Sequence, residues 1–162
     1  MSKQPFRIGR SFTGLGLFAT EQIKKRAIIV EYRGRRIPTK EVYRRERYLD
    51  HKYLFEINSR WTIDGSRRWN KARYVNHSCR PNAEAIERRG PIIVYVARRR
   101  IKPGEEITVD YGKDYFSAFI GKSRCQCVKC RECRAERQVK YRAKYRARLR
   151  RAKNKRRKRR RS

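Results

Sequence analysis

Four of the five cysteines, Cys125, Cys127, Cys130 and Cys133, fall within nine residues, and the fifth is Cys79. In a reducing compartment such a cluster points to metal before disulfide. Cys79, Cys125, Cys127 and Cys130 offer the four thiolates of one tetrahedral structural zinc, with Cys133 a further candidate in place of Cys130. Unliganded buried thiols are the plainer alternative. A second constellation is the polar run Asn76-His77-Ser78-Cys79-Arg80-Pro81-Asn82. A third is Gly14-Leu15-Gly16, where the lack of a Cβ lets backbone groups approach a ligand closely. A lone G-x-G triplet is usually an ordinary turn. The chain has 10 Tyr, so most must serve as packing, and only their context can single out a functional one.

These groups need elements to hold them. Residues 6–20 read as a strand, a turn at Thr13-Gly14-Leu15-Gly16 and a second strand. Residues 27–32 are β-branched and apolar enough for a buried strand. Thr39 is the expected N-cap of a helix reaching about Leu49, with Val42, Tyr43, Glu46 and Leu49 at helical spacing. Short strands are expected at 53–57 and 61–64, then a polar irregular stretch over 65–82. Strands are expected again at 91–101 and 106–111, separated by Lys102-Pro103-Gly104-Glu105. Many short strands with one substantial helix imply a mostly β fold; nothing alternates as βαβ units would. No internal repeat of roughly 20–50 residues is present.

Charged residues make up 39% of the 162 residues and net charge is +33. From Arg134 onward, 17 Lys/Arg face one acid, Glu136, so a composition boundary falls there and the tail carries +16. The rest of the chain carries the remaining +17. Such an excess favours a polyanionic partner, DNA or RNA. A membrane is not expected: the tail lacks large apolar residues for interfacial insertion, and no apolar run approaches the roughly 18 residues of a span. Residues 1–7 have no apolar stretch of signal-peptide length behind them, so an intracellular protein is expected.

Four segments, in order, resemble one family. Gly14-Leu15-Gly16-Leu17-Phe18-Ala19 resembles the glycine turn of SET-domain protein-lysine methyltransferases. The run from Ala72 to Asn82 resembles their N-H-S-C-x-P-N signature. The run from Ile101 to Gly112 resembles their last core strand with its tyrosine, and Cys125-Gln126-Cys127-Val128-Lys129-Cys130 resembles the post-SET cysteine cluster. The resemblance implies a β-clip-like fold of short curved sheets, a knotted C-terminal segment and one or two helices. It implies a SET domain over 6–116 and a post-SET-like zinc segment over 117–133, followed by a basic helical or disordered tail over 134–162.

The resemblance also implies transfer of a methyl group from S-adenosylmethionine to a lysine Nε. That chemistry needs placement more than acid–base machinery, and an uncharged amine whose free pKa is about 10.4. Gly14, Leu15, Gly16, Tyr53, Arg73, Asn76 and His77 would line the cofactor site, with the Asn76 carbonyl against the cofactor ammonium. Tyr111 would orient the amine and Tyr32 would be the second channel tyrosine. Where many members carry Phe or Tyr two residues before the catalytic tyrosine, this chain has Val109, which leaves room for a more methylated amine. The C-x-C-x4-C spacing common in the family is replaced by C-x-C-x2-C.

The expected substrate is a basic protein of chromosome or ribosome, with the enzyme in nucleoid and cytoplasm or in a nucleus. The runner-up is a catalytically weak SET-fold protein that binds or packages nucleic acid. In the tail, residues 134–152 are mostly helix formers whose like charges repel, and 155–161 are seven consecutive basic residues. Phosphate neutralisation would favour folding on binding, without base specificity.

Overall fold

The structure, a computed structural model, describes residues 4–44, 53–90 and 92–159. In chain order its strands are β1 (Phe6–Ser11), β2 (Gly14–Ala19), β3 (Ile28–Tyr32), β4 (Arg35–Pro38) and β5 (Leu54–Glu56). They continue with β6 (Trp61–Asp64), β7 (Asn76–His77), β8 (Ala83–Arg88), β9 (Ile92–Ala97) and β10 (Glu106–Val109). These make three small sheets, ordered β1-β2-β10-β7, β3-β9-β8 and β4-β6-β5. The mostly β architecture with a basic helical tail agrees with the sequence reading.

Three strands, β4, β7 and β8, escape the sequence pattern. β4 hides in Arg35-Arg36-Ile37-Pro38, where only Ile37 is buried. β8 has Ala83 buried and its other five residues exposed, because it is the edge of its sheet and has no apolar face to show. The strand expected over 91–101 ends at Ala97, and Ile101 keeps only a bridge to Ile23. The first turn is tighter than expected, at Phe12 and Thr13, with Gly14 already in β2 opposite Ser11. Within 65–82 lie a 3-10 turn, Lys71–Tyr74, and β7.

The helix expected from Thr39 begins there as α1 (Thr39–Arg44); Glu46 and Leu49 lie outside the described residues. Thr39 Oγ1 is turned toward sheet three, bonding to the Asn58 carbonyl at 3.1 Å and pairing with Thr62 Oγ1 at 3.0 Å. Val42 is buried as expected. Tyr43 is exposed and donates its hydroxyl to Glu56 Oε2 at 2.8 Å.

What positions the site is the first sheet. β10 runs antiparallel to β2, with Ile107 opposite Leu17, and parallel to β7, with Thr108 beside Asn76 and Val109 beside His77. Leu17, Val75, Ile101, Ile107 and Val109 are at most 2% exposed, so this junction is also the core. Full burial of such side chains is worth roughly 1.5–3 kcal/mol each.

Asn82, 3% exposed, pins β10 from the side. Its Nδ2 donates to the Glu106 carbonyl at 2.8 Å and its Oδ1 accepts from the Thr108 N–H at 2.9 Å. Asn82→Ala leaves both backbone groups unpaired in the interior. It is expected to destabilise the fold by about 2–4 kcal/mol in denaturant unfolding, since each such loss costs about 1–3 kcal/mol. A change below about 0.5 kcal/mol would mean that water replaces the side chain.

The chain after β10 is helical: α2 (Lys113–Tyr115), a π-helical turn (Phe116–Ile120), α3 (Gly121–Arg124) and α4 (Val128–Arg159). α4 is one unbroken helix of 32 residues, so the change in composition at Arg134 occurs inside it. No described helix is long and apolar enough to cross a membrane.

Candidate active site and thiolate cluster

Two cavities meet at Tyr111. The larger, about 850 Å³, is bordered by Leu15, Tyr53, Arg73, Asn76, His77 and Tyr111. The smaller, about 250 Å³, is bordered by Tyr32, Phe55, Tyr95, Val109 and Tyr111. Arg73 and Tyr115 also border both. The larger volume falls in the range of roughly 300–1,000 Å³ common for small-molecule sites.

Asn76 is held by its own amide. Nδ2 donates to the Leu15 carbonyl at 3.0 Å and to Glu106 Oε1 at 2.7 Å. Both partners are acceptors, so the amide orientation is unambiguous and Oδ1 is left to accept from a ligand. Gly16 makes this possible: a Cβ there would lie 2.4 Å from Glu106 Oε1 and 3.1 Å from Asn76 Nδ2. Gly14 has a different reason, a φ of +112° with open space around it. Leu15 borders the large cavity; the two glycines serve the turn and the packing behind it.

Arg73 stacks over the Tyr53 ring, 3.9 Å from its centroid, and its Nη1 donates to the Ser66 carbonyl. Its Nε is buried with no partner among the described residues. Asn76 Oδ1, an acceptor left over on a residue that borders the large cavity, suits the ammonium of an amino-acid moiety such as that of S-adenosylmethionine.

His77 is a neutral spacer. Burial lowers its pKa, opposed by Asp110 with its carboxylate 3.7 Å from Nδ1. Nδ1 accepts the Tyr111 N–H at 3.2 Å, so the neutral ring carries its proton on Nε2, which faces Cys79 Sγ at 3.4 Å. Tyr111 donates its hydroxyl hydrogen to the Val75 carbonyl at 2.7 Å and packs on His77 and edge-on to Tyr115. Tyr32 donates to the Tyr53 carbonyl at 2.8 Å and contacts Phe55 and Tyr95. Burial, with neighbouring groups, pushes both phenols well above the usual tyrosine range.

Four residues that build the site, Asn82, Glu106, Tyr115 and Phe119, are given no site role by the sequence reading. Glu106 and Asn82 act through the register of β10. Tyr115 and Phe119 wall the large cavity, with ring centroids 5.3 Å (Tyr111 to Tyr115) and 4.7 Å (Tyr115 to Phe119) apart. Their signal was legible, because Tyr111, Tyr115 and Phe119 recur every fourth residue.

The Sγ atoms of Cys79, Cys125, Cys127 and Cys130 all lie within 4.8 Å of one another, and Cys133 is exposed outside the group. Cys79 is 4.0 Å from Cys125 and 3.6 Å from Cys130. A zinc tetrahedron with bonds of about 2.3 Å has edges of about 3.8 Å, so the donor set fits zinc. Burial and the neighbouring thiols push Cys79 and Cys125 up. Cys127 is brought down to about 7, hydrogen bonds from Cys79 and Cys130 outweighing its burial. The purified chain is expected to carry about one zinc, and Cys125→Ser to lose most of it. Chelation should raise hydrogen exchange over 113–135 before the sheets open. Protein made without chelator and free of zinc would refute this assignment.

Comparison with known proteins shows which family the chain resembles. The SET domain model matches residues 14–112. Histone-lysine N-methyltransferase 2D of Homo sapiens is 37% identical over 122 residues, covering 70% of this chain and 2% of that protein. Histone-lysine N-methyltransferase set-2 of Caenorhabditis elegans is 40% identical over 119 residues, covering 67% and 8%. Histone-lysine N-methyltransferase SUV39H1 of Xenopus laevis is 35% identical over 111 residues, covering 60% and 26%. The chain thus spans a small part of the length of these relatives. With the glycine turn, the Asn76–Asn82 run and Tyr111 gathered around one junction and the family model matching most of the chain, this protein belongs to the SET domain family.

Proposed function

We propose that the chain is a protein-lysine N-methyltransferase acting on a basic, chromosome- or ribosome-associated protein. The carrying observation is Tyr111, standing where a cofactor-sized cavity meets a narrow aromatic one. S-adenosylmethionine bound in the larger cavity supplies an electrophilic methyl group. Asn76 Oδ1 would accept from the ammonium of its amino-acid end, and Arg73, Tyr53, His77 and Leu15 would shape the pocket around it. A substrate lysine enters the smaller cavity between Tyr32, Phe55 and Tyr95. With its hydrogen committed to Val75, the Tyr111 oxygen presents lone pairs, which accept from the amine and orient it. The apolar walls disfavour the ammonium form and so hold the amine neutral.

Val109, 2% exposed, borders the same cavity without a hydroxyl, which supports acceptance of an already methylated amine. Cys79, Cys125, Cys127 and Cys130 would hold zinc, and that bond set would tie Cys125–Cys127, which border the large cavity, to Cys79 beside His77 and so close the C-terminal wall. The basic C-terminal segment is the surface for DNA or RNA.

Incubation with isotope-labelled S-adenosylmethionine and a mixture of histones and ribosomal proteins tests the reading. Mass spectrometry should find labelled lysine and count the methyl groups. Cofactor binding by calorimetry without labelled lysine would leave a binding module only.

A pH profile adds an independent check. Turnover is expected to rise from pH 7 to pH 9 as the neutral fraction of a lysine of pKa about 10.4 increases. Tyr111 and Tyr32 have raised pKa values, so their phenols remain protonated across that window. The stability that goes with burying them as neutral phenols falls as pH rises from the ordinary tyrosine value, about 10, through those raised values, well above the window tested. A profile falling between pH 7 and pH 9 would contradict the need for a neutral amine.

A further inference from the structure

Among the described residues, α4 is anchored to the domain at its start. Cys130 joins the thiolate cluster, Arg131 lies over the Phe12 ring, and Arg134 donates to the Cys125 carbonyl at 2.6 Å. Beyond Arg134 no described side chain of α4 makes a hydrogen bond, ion pair or ring contact with the domain, and the helix runs on to Arg159. At 1.5 Å per residue it is about 47 Å long. It carries 17 Lys/Arg against Glu132 and Glu136, a net +15.

The order of residues around this helix is informative. At 100° per residue, Cys130, Arg134, Tyr141, Tyr145 and Leu149 fall within an arc of about 100°. The face used against the domain therefore continues outward as a Tyr-Tyr-Leu stripe. The two tyrosine rings stack with planes 13° apart, and the stripe residues are 68%, 53% and 52% exposed. Basic residues flank it on both sides, with Arg137, Lys144 and Arg148 along one edge and Arg142 and Arg146 along the other.

We infer that α4 is a duplex-DNA arm whose Tyr141-Tyr145-Leu149 stripe enters the major groove while the two basic edges meet the phosphates on either wall. This rests on the nucleic-acid reading of the tail and makes it specific. An α-helix is about 10–12 Å across and the B-form major groove about 12 Å wide, whereas the A-form groove of duplex RNA is too deep and narrow for side chains to read. Apolar side chains at the centre suit thymine methyls on the groove floor. Duplex DNA presents one negative charge per about 1.7 Å, dense enough to neutralise a helix of this charge, whose own turns repel one another. A second copy of α4 would add a further +15 to that repulsion, which argues against a helix dimer along the stripe. The anchors at Cys130, Arg131 and Arg134 give the arm a fixed departure from the cofactor cavity.

The test is fluorescence anisotropy on the full chain with a 20-base-pair DNA duplex, the matching RNA duplex, single-stranded DNA and poly-glutamate. The DNA duplex is expected to bind at least 10-fold more tightly than any other probe. Ala143→Pro breaks the helix at the middle of the stripe and leaves every charge in place. It should weaken DNA-duplex binding about 10-fold and change the RNA and single-strand values less than twofold. The pair Tyr141→Ala with Tyr145→Ala should act in the same direction without touching the backbone. Zinc content equal to the parent's shows that the domain is intact in both variants. Equal affinity for duplex DNA and RNA, or no effect of both variants, overturns groove docking and leaves general nucleic-acid binding standing. Poly-glutamate bound as tightly as DNA overturns it in favour of an acidic protein. Failure to bind any nucleic acid overturns both this inference and the reading beneath it.

Discussion

Tyr111→Phe is expected to lower turnover about 10²-fold or more while cofactor affinity changes less than twofold. The variant removes one oxygen from the junction of the two cavities and keeps the ring that packs on His77 and Tyr115. Removing one preorganised polar contact at a reacting centre typically costs about 10²–10³ in rate. Its hydroxyl also bonds to the Val75 carbonyl, so a stability loss of about 1–3 kcal/mol should accompany the change. Single-turnover rates with a saturating peptide, beside calorimetry of cofactor binding, separate the two effects. Near-normal turnover would mean that another group orients the amine, and Tyr115, which borders both cavities, would be the next to examine.

Truncation after Gln138 should have the second large effect, on a different surface. It removes 15 of the 48 Lys/Arg and keeps Cys130, Arg131 and Arg134, so the anchor of α4 survives. Loss of about six phosphate contacts would flatten the log–log dependence of duplex binding on salt by roughly five units. Methylation of a short free peptide should stay nearly unchanged. Methylation of a protein bound to the same nucleic acid should fall, because enzyme and substrate are no longer concentrated on one polymer. Unchanged duplex affinity would refute the role given to the tail. Lost peptide activity would show instead that α4 is part of the catalytic fold.

The legible parts of this fold were those carried by local chemistry. Asn76, His77 and Tyr111 stand out because their neighbours form compact runs, and Cys125, Cys127 and Cys130 because thiols cluster rarely without a ligand. β9, with five of its six residues buried, reads directly as a core strand. What stayed hidden depends on pairing across the chain. Glu106 holds Asn76 only because β10 lies between β2 and β7. β8 shows no alternation because it is an exposed edge. The face shared by Cys130, Arg134 and Tyr141 becomes visible only once α4 is known to be continuous, since the change in composition at Arg134 suggests a break there.

The central place of β10 in its sheet also bears on how the chain reaches this state. Its partners come from far apart in the sequence, Leu17 on one side and Asn76 on the other. Contacts of such separation form late, because loop-closure entropy must be overcome before they contribute. The thiolate cluster then closes a further loop of 46 to 51 residues, from Cys79 to Cys125 and Cys130. During synthesis neither closure can happen until residues 106–130 have left the ribosome. The β3-β9-β8 and β4-β6-β5 sheets can assemble before that point. A nascent chain would therefore build Tyr32, Phe55 and Tyr95 of the smaller cavity early and add Val109 and Tyr111, with the far wall of the larger cavity, last, so both cavities are completed only at the end of folding.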